Sequence, residues 1–141
     1  MSATERYLCF SLGSESFALP LLNVREVLAQ PEITPVPHTP SYFQGIMNLR
    51  GQVVSVMDLR AKLGIKPRAD GSESVVIICA LAEFVVGITV DAVNSVVAPT
   101  PEQISTDVGS QRDYLAGVYR NQQELTLLLD VARALGLKNA A

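Results

Sequence analysis

Histidine is almost missing from this chain: His38 stands alone in 141 residues, inside a proline-rich stretch. It has no acidic or cysteine neighbour at the spacing that a catalytic or metal-binding imidazole needs, so it reads as a solvent-facing loop residue. Cysteine is nearly as scarce. Cys9 and Cys79 lie far apart, each within an apolar run and neither with a CxxC partner, which leaves zinc binding and dithiol redox chemistry without a basis. They read as small core residues in a reducing compartment. Glycine loops that cradle phosphates are absent in both common forms, GxxxxGK[ST] and GxGxxG. No catalytic residue, metal or cofactor is expected.

Positive charge is in deficit, with 11 Lys+Arg against 14 Asp+Glu, a net charge of −3 and a pI of 5.1. The broad positive field that nucleic-acid binding requires is therefore missing. A membrane-spanning run is missing too. The longest apolar tract, VVIICALAEFVVGITV (75–90), is shorter than the roughly 20 residues a span needs and carries Glu83 at its middle. It reads as two buried strands of a hairpin, with no membrane insertion. The N-terminus, MSATERYLCF, has charges at Glu5 and Arg6 and no apolar run before them, so it does not read as a signal peptide, and a cytoplasmic location follows. What the chain has in abundance is apolar residues, 48% hydrophobic against 18% charged. That is enough for a core, with an excess available as contact area. The length suits one domain, residues 1–141.

Along the chain, YLCFSL and FALPL flank the turn cluster Gly13-Ser14-Glu15-Ser16 and predict an opening hairpin. In PLLNVREVLAQ, Val24, Val27 and Leu28 recur at helical spacing before Pro31 and Pro35, which predicts a helix of about two turns. TPVPHTPSYF is expected to be an extended loop. Residues 45–58 form a second hairpin and LRAKLG (59–64) a short helix ended by Gly64. KPRADGSES (66–74) is polar and turn-rich, a linker between lobes at about 7–65 and 75–137.

The lobes look like repeats. A slide of 72 positions sets Gly45 on Gly117, Asp58 on Asp130, Leu63 on Leu135 and Gly64 on Gly136, while a slide of 69 sets Val24 on Val93, Val27 on Val96 and Leu28 on Val97. About ten short strands with regular turns then suggest a mainly β fold of two small antiparallel barrels packed together, with short helices. So few strands leave no room inside for a large ligand, and function is expected on the outside or between the lobes.

Asp58, Asp91 and Asp130 each follow an apolar strand run. Paired acids suit acid/base work, but Asp58 and Asp130 stand just before short helices, where an aspartate caps free N–H groups. Arg50 differs, because its repeat counterpart is Gln122: the second lobe makes the same turn without a cation. Either the turn is simply solvated, or the arginine pairs with a carboxylate, for which Glu26 on the preceding predicted helix is the candidate.

The block GIMNLRGQVVSVMDLR (45–60), with YLCFSLGSESFALPLLNVREV, TPSYFQG, VVGITVDAVNSVV, YLAGVYR and LLLDVARAL, resembles CheW, the bacterial chemotaxis coupling family, from about Tyr7 to Leu137. The resemblance implies two five-stranded SH3-like β-barrels sharing a core, and a non-catalytic adaptor. It implies as partners the cytoplasmic tips of methyl-accepting chemotaxis receptors and the regulatory domain of a CheA-type histidine kinase, hence recruitment to membrane-associated receptor arrays. Both ends are short, which suits a stand-alone adaptor; a parallel chemosensory system such as one for type IV pili shares the motif, and a small-ligand-binding barrel is the rival from another class. On this footing Arg50, Gly51 and Gln52 with Asp58, Arg60 and Lys62 are expected to face the kinase. Val24, Val27, Val93, Val96 and Val97 either line a receptor groove or belong to the core, and a Glu26–Arg50 salt bridge ties the turn to its neighbour.

Overall fold

The computed structural model describes residues 5–29, 31–65, 74–81, 83–106 and 114–136. The chain opens on hairpin β1 (Tyr7–Leu12) and β2 (Glu15–Pro20), turned at Gly13 with φ 62°. Its alternation buries Phe10, Leu12, Phe17 and Leu19, and the Phe10 and Phe17 rings stack with centroids 5.8 Å apart. A single 3-10 turn over Leu21–Asn23 leads to β3 (Val24–Ala29).

This strand corrects the helix expected there. A two-turn helix makes few internal hydrogen bonds for the entropy it costs, whereas β3 pairs antiparallel along a strand of the second half, from Val24 opposite Cys79 to Ala29 opposite Val75. The extra residue of a bulge between Val24 and Glu26 breaks simple alternation. The valines three apart that read as helical sit in this irregular strand.

The proline-rich segment, expected to be extended throughout, turns at Pro37-His38 with His38 at φ 62° and meets the sheet at the Thr34–Ile46 bridge and at the Tyr42 carbonyl. Next come β4 (Phe43–Leu49), β5 (Gln52–Asp58) and α1 (Leu59–Leu63). Asp58 caps α1 by accepting from the N–H groups of Arg60 and Ala61, and Gly64 ends it at φ 75°. The expected linker, apart from Ser74, lies outside the described residues. The second half follows with β6 (Val75–Leu81), β7 (Phe84–Val90), β8 (Ala92–Val97), the two-residue β9 (Ile104–Ser105), β10 (Leu115–Asn121), β11 (Glu124–Leu129) and α2 (Val131–Ala134). Asp130 caps α2 through the N–H of Arg133.

Two sheets result, ordered β8-β1-β2-β11-β10-β9 and β3-β6-β7-β5-β4. All neighbours are antiparallel except β2–β11 and β5–β7, which run parallel. Each sheet draws strands from both sides of residues 66–73. Each also curls. Leu28 of one edge strand and Met47 of the opposite edge strand pack on one apolar cluster, and Val97 and Ile104 do the same in the other sheet. A third and largest cluster, with Phe10, Phe17, Leu59, Ile77, Ile88 and Leu129, holds the two sheets together. The fold is mainly β with a few short helices, two packed sheets sharing one core.

The 72-residue repeat survives in detail. The Asp58 N–H donates to the Tyr42 carbonyl at 2.7 Å and that of Asp130 to the Tyr114 carbonyl at 2.8 Å. Bulges fall at Phe43/Gly45 and at Leu115/Gly117. Glycine is required at both, since a Cβ would stand 2.3 Å from the Thr34 carbonyl oxygen at Gly45 and 2.8 Å from that of Ser105 at Gly117.

Candidate functional site

Among the described residues no group of three or more His, Cys, Asp or Glu side chains is placed to hold a metal ion. Both thiols are buried. Burial alone pushes Cys79 up to about 12, and burial raises Cys9 against the opposing effect of a hydrogen bond from Ser95. Alkylation of Cys79 in the native protein at pH 8 should therefore run roughly a thousandfold slower than for a free thiol, because the thiolate is the reacting species. Labelling followed by mass spectrometry, with and without denaturant, checks this, and rapid native labelling would show the site open to solvent.

The structure brings Glu26 and Arg50 together. Arg50 donates from Nη1 to Glu26 Oε2 at 2.5 Å and from Nη2 to Oε1 at 3.0 Å, a bidentate pair. Glu26 lies on β3 and Arg50 at the tip of the β4–β5 hairpin, at opposite edges of the five-stranded sheet, so the pair spans the mouth of its curl. Arg50 sits at φ 53°, followed by Gly51 at φ 86°. A left-handed arginine is uncommon and needs something to hold it; Gly51 N–H also donates to Asn48 Oδ1 at 2.8 Å, which fixes the turn. Gln122 takes the same conformation at φ 58° without a cationic side chain. The Arg50 side chain remains 72% exposed while that of Glu26 is 22% exposed, so the carboxylate is shielded and the cation is presented outward. Hydrogen bonding between them holds the Glu26 carboxyl below its ordinary value of 4.5 and the Arg50 guanidinium above its already high ordinary value.

The predicted kinase-facing residues do not form one patch. Arg50, Gly51 and Gln52 are exposed at one end of β5, and Asp58, Arg60 and Lys62 lie at the other. Seven strand residues put about 20 Å between them. Asp58 is occupied in capping, and Lys62 stands over the Tyr42 ring with Nζ 4.2 Å from its centroid. Arg60 is turned inward. Its Nε donates to Asp91 Oδ1 at 2.8 Å and its Nη2 to Asp91 Oδ2 at 2.6 Å, with the side chains only 13% and 16% exposed. Asp91 Oδ2 also accepts from Gly13 N–H at 2.7 Å, and its own N–H donates to the Ser11 carbonyl at 3.1 Å. One carboxylate thus ties α1, the β1–β2 turn and the β7–β8 junction. Sequence reasoning placed Asp91 after a strand but had no signal for this knot, because its partner is 31 residues away.

The five valines separate. Val24 and Val93 pack in part against the shared core, and Val97 packs against the cluster inside the six-stranded sheet. Val27 and Val96 are exposed. They occupy equivalent places, 69 residues apart, on β3 and β8, each the outermost strand of its sheet. Other large apolar side chains are exposed that sequence reasoning did not single out as surface: Leu22, Val53, Phe84 and Leu125. Val53 and Leu125 also match across the repeat, each the second strand residue after its turn. In Val53-Val54 one of two adjacent valines must face outward from a strand, which was the available clue.

A model of the "CheW-like domain" family matches residues 6–138. The chain is 33% identical over 131 residues to the probable chemotaxis protein CheW of Rhizobium etli, covering 88% of this chain and 83% of that one. It is 31% identical over 141 residues to the chemotaxis protein CheW of Klebsiella aerogenes, covering 97% and 85%. Its fold matches the crystal structure of the scaffolding protein TtCheW from Thermoanaerobacter tengcongensis with a TM-score of 0.83 at 28% identity, covering 90% and 89%.

Proposed function

Since this chain belongs to the CheW-like family, we propose that it couples methyl-accepting chemotaxis receptors to a CheA-type histidine kinase. Its role is that of a chemotaxis adaptor, and the family is a non-catalytic scaffold. The observation that carries the finer reading is the pairing of exposed apolar edges with a fixed cationic tip: Val27 and Val96 at repeat-equivalent places, and Arg50 held in a left-handed turn by Glu26. A receptor tip is a helical hairpin, and a helix docks through a few apolar anchors on rigid structure. Val27 and Val96 supply the anchors, with Val24, Val93 and Val97 as the half-buried bed beneath them. The kinase regulatory domain meets the hairpin tip at Arg50, Gly51 and Gln52, with the exposed Val53 beside it. Asp58 and Arg60 hold α1 in place, and Lys62 is the residue of that helix left to face a partner. No helix among the described residues is long and apolar enough to cross a membrane. The proposed location is cytoplasmic, at receptor arrays reached through these contacts.

Titration against an isolated kinase regulatory domain and, separately, a receptor-tip hairpin tests the reading. Binding in the low micromolar range is expected for both; silence at tens of micromolar, with a tightly held small molecule instead, favours the ligand-binding alternative. The Glu26–Arg50 pair has its own test. Glu26→Ala and Arg50→Ala should each weaken kinase or receptor binding several-fold, the double variant should lose less than the two together, and thermal melting should barely change. Strict additivity in both readouts would make Arg50 a direct contact or a wet turn. The pH sign is fixed by the lowered carboxyl: the contribution of the pair is complete above the ordinary value of 4.5 and fades as pH falls through the lower folded-state value. Binding should thus be flat from pH 8 to 5 as far as this pair is concerned.

A further inference from the structure

The repeat reappears in the hydrogen bonding, but crossed. β3 pairs with β6 of the second half, and β8 pairs with β1 of the first. The registers are images of each other: Val24 opposite Cys79 becomes Val93 opposite Phe10, and Val27 opposite Ile77 becomes Val96 opposite Leu8, each pair moved by 69 residues in opposite directions. Even the bulges correspond, with Arg25 the extra residue in one strand and Asn94 in the other. The parallel pairings obey the same rule, since Val56 faces Gly87 and Leu128 faces Ala18. Each half has therefore given its leading hairpin, β1–β2 or β6–β7, to the sheet that the other half completes.

The shared core follows from this. Phe10, Phe17 and Leu59 come from the first half and Ile77, Ile88 and Leu129 from the second, in one buried cluster. Neither half encloses that cluster by itself. Residues 66–73, eight in number, are the only covalent link between the halves, and eight residues reach up to about 27 Å when extended.

We infer that the fold is an exchanged pair of half-chains tethered in one molecule, and that a second copy of this chain can supply either half. In the resulting dimer, residues 7–65 of each copy combine with residues 74–136 of the other. Every strand pairing and core contact within a body is retained. The balance between monomer and dimer is then set by the effective concentration of the tether, in the millimolar range for a short linker. Exchange must open the shared core, so it proceeds through unfolding and is slow in the native protein.

Cys9 and Ser95 are direct register partners on β1 and β8, one from each half, and provide the test. One full-length chain carries Cys79→Ala and keeps Cys9 as its single thiol. The other carries Cys9→Ala, Cys79→Ala and Ser95→Cys. Unfolded together, refolded and oxidised, they should give a mixed disulfide-linked dimer whose share rises with protein concentration, to on the order of a tenth at ~0.1 mM. A third chain, with Cys79→Ala and Ser95→Cys, should close the bond within a monomer, which shows that the two thiols meet. If that internal bond closes and the mixed dimer stays absent up to ~1 mM, comparable with the effective concentration of the tether, the inference fails. It fails equally if the mixed dimer forms as fast from folded chains as from refolded ones, because surface collision then explains it. Unmodified protein gives an independent reading by size exclusion after refolding at ~0.1 mM, near the concentration where exchange becomes visible. A dimer that survives dilution and reverts only after a further cycle of unfolding supports exchange, and a monomer alone opposes it.

Discussion

Asp91→Ala should lower the stability of the fold by about 3 kcal/mol and its melting temperature by roughly 10 °C, the largest loss expected from any polar residue described above. The substitution takes the carboxylate away from two donors at once. The Arg60 guanidinium loses both of its bonds to the carboxylate, and the Gly13 N–H loses its acceptor. Removing one member of a buried ion pair costs about 3 to 5 kcal/mol, because the remaining charge has left water and has nothing to face. With 13% and 16% of the side chains still exposed, the low end of that range applies. Arg60→Ala should cost less, since it leaves Asp91 with the Gly13 N–H as a donor. The double variant should cost clearly less than the sum, because the stranded charge is gone in it. Hydrogen bonding to Asp91 holds Arg60 above its already high ordinary value, so its contribution is complete at neutral pH and is lost only in strong alkali. Urea unfolding of the three variants measures these differences; a loss below about 0.5 kcal/mol for Asp91→Ala would place the pair with ordinary solvated ones.

The largest expected effect on binding lies with the exposed edge valines. Val27→Asp or Val96→Asp should weaken association with a receptor-tip hairpin by about 30-fold or more, the range of an interface hot spot. A carboxylate forced against an apolar helix face loses water and gains no partner. Both side chains already face solvent, so melting temperatures should stay within a few degrees of the parent. Val24→Asp is the contrast, because Val24 packs against the shared core and the charge should cost stability before it costs affinity. Val27→Asp and Val96→Asp proteins that melt normally and bind as tightly as the parent would remove the edge strands from the receptor surface.

How far the sequence reached can be seen residue by residue. The hairpins, the caps at Asp58 and Asp130 and the Gly64 terminus were legible because each is fixed by its own neighbours: turn residues between β-rich runs, or a carboxylate beside free N–H groups. The repeat was legible too, since Gly45 and Gly117 stand where a Cβ would strike a carbonyl, a local demand that leaves its mark in the letters. The acid chosen for Arg50 was readable because an arginine present in one repeat and absent from the other marks a place where the fold alone does not require a cation.

What the sequence did not carry is the identity of strand partners across the chain. Val24–Ala29 has a helical spacing of apolar residues, and it is a strand only because β6, about 50 residues on, offers a ladder that a two-turn helix could not match. Arg60 reads as a surface charge and is an inner one, since Asp91 and Gly13 arrive from elements that meet it only after both sheets close. The crossing of the two hairpins is of the same kind. Composition and periodicity determine which segments are strands and which side of each is apolar, because those are properties of a few adjacent residues. Which half completes which sheet is decided by burial of a core that neither half can enclose alone, and that exists only in the tertiary structure.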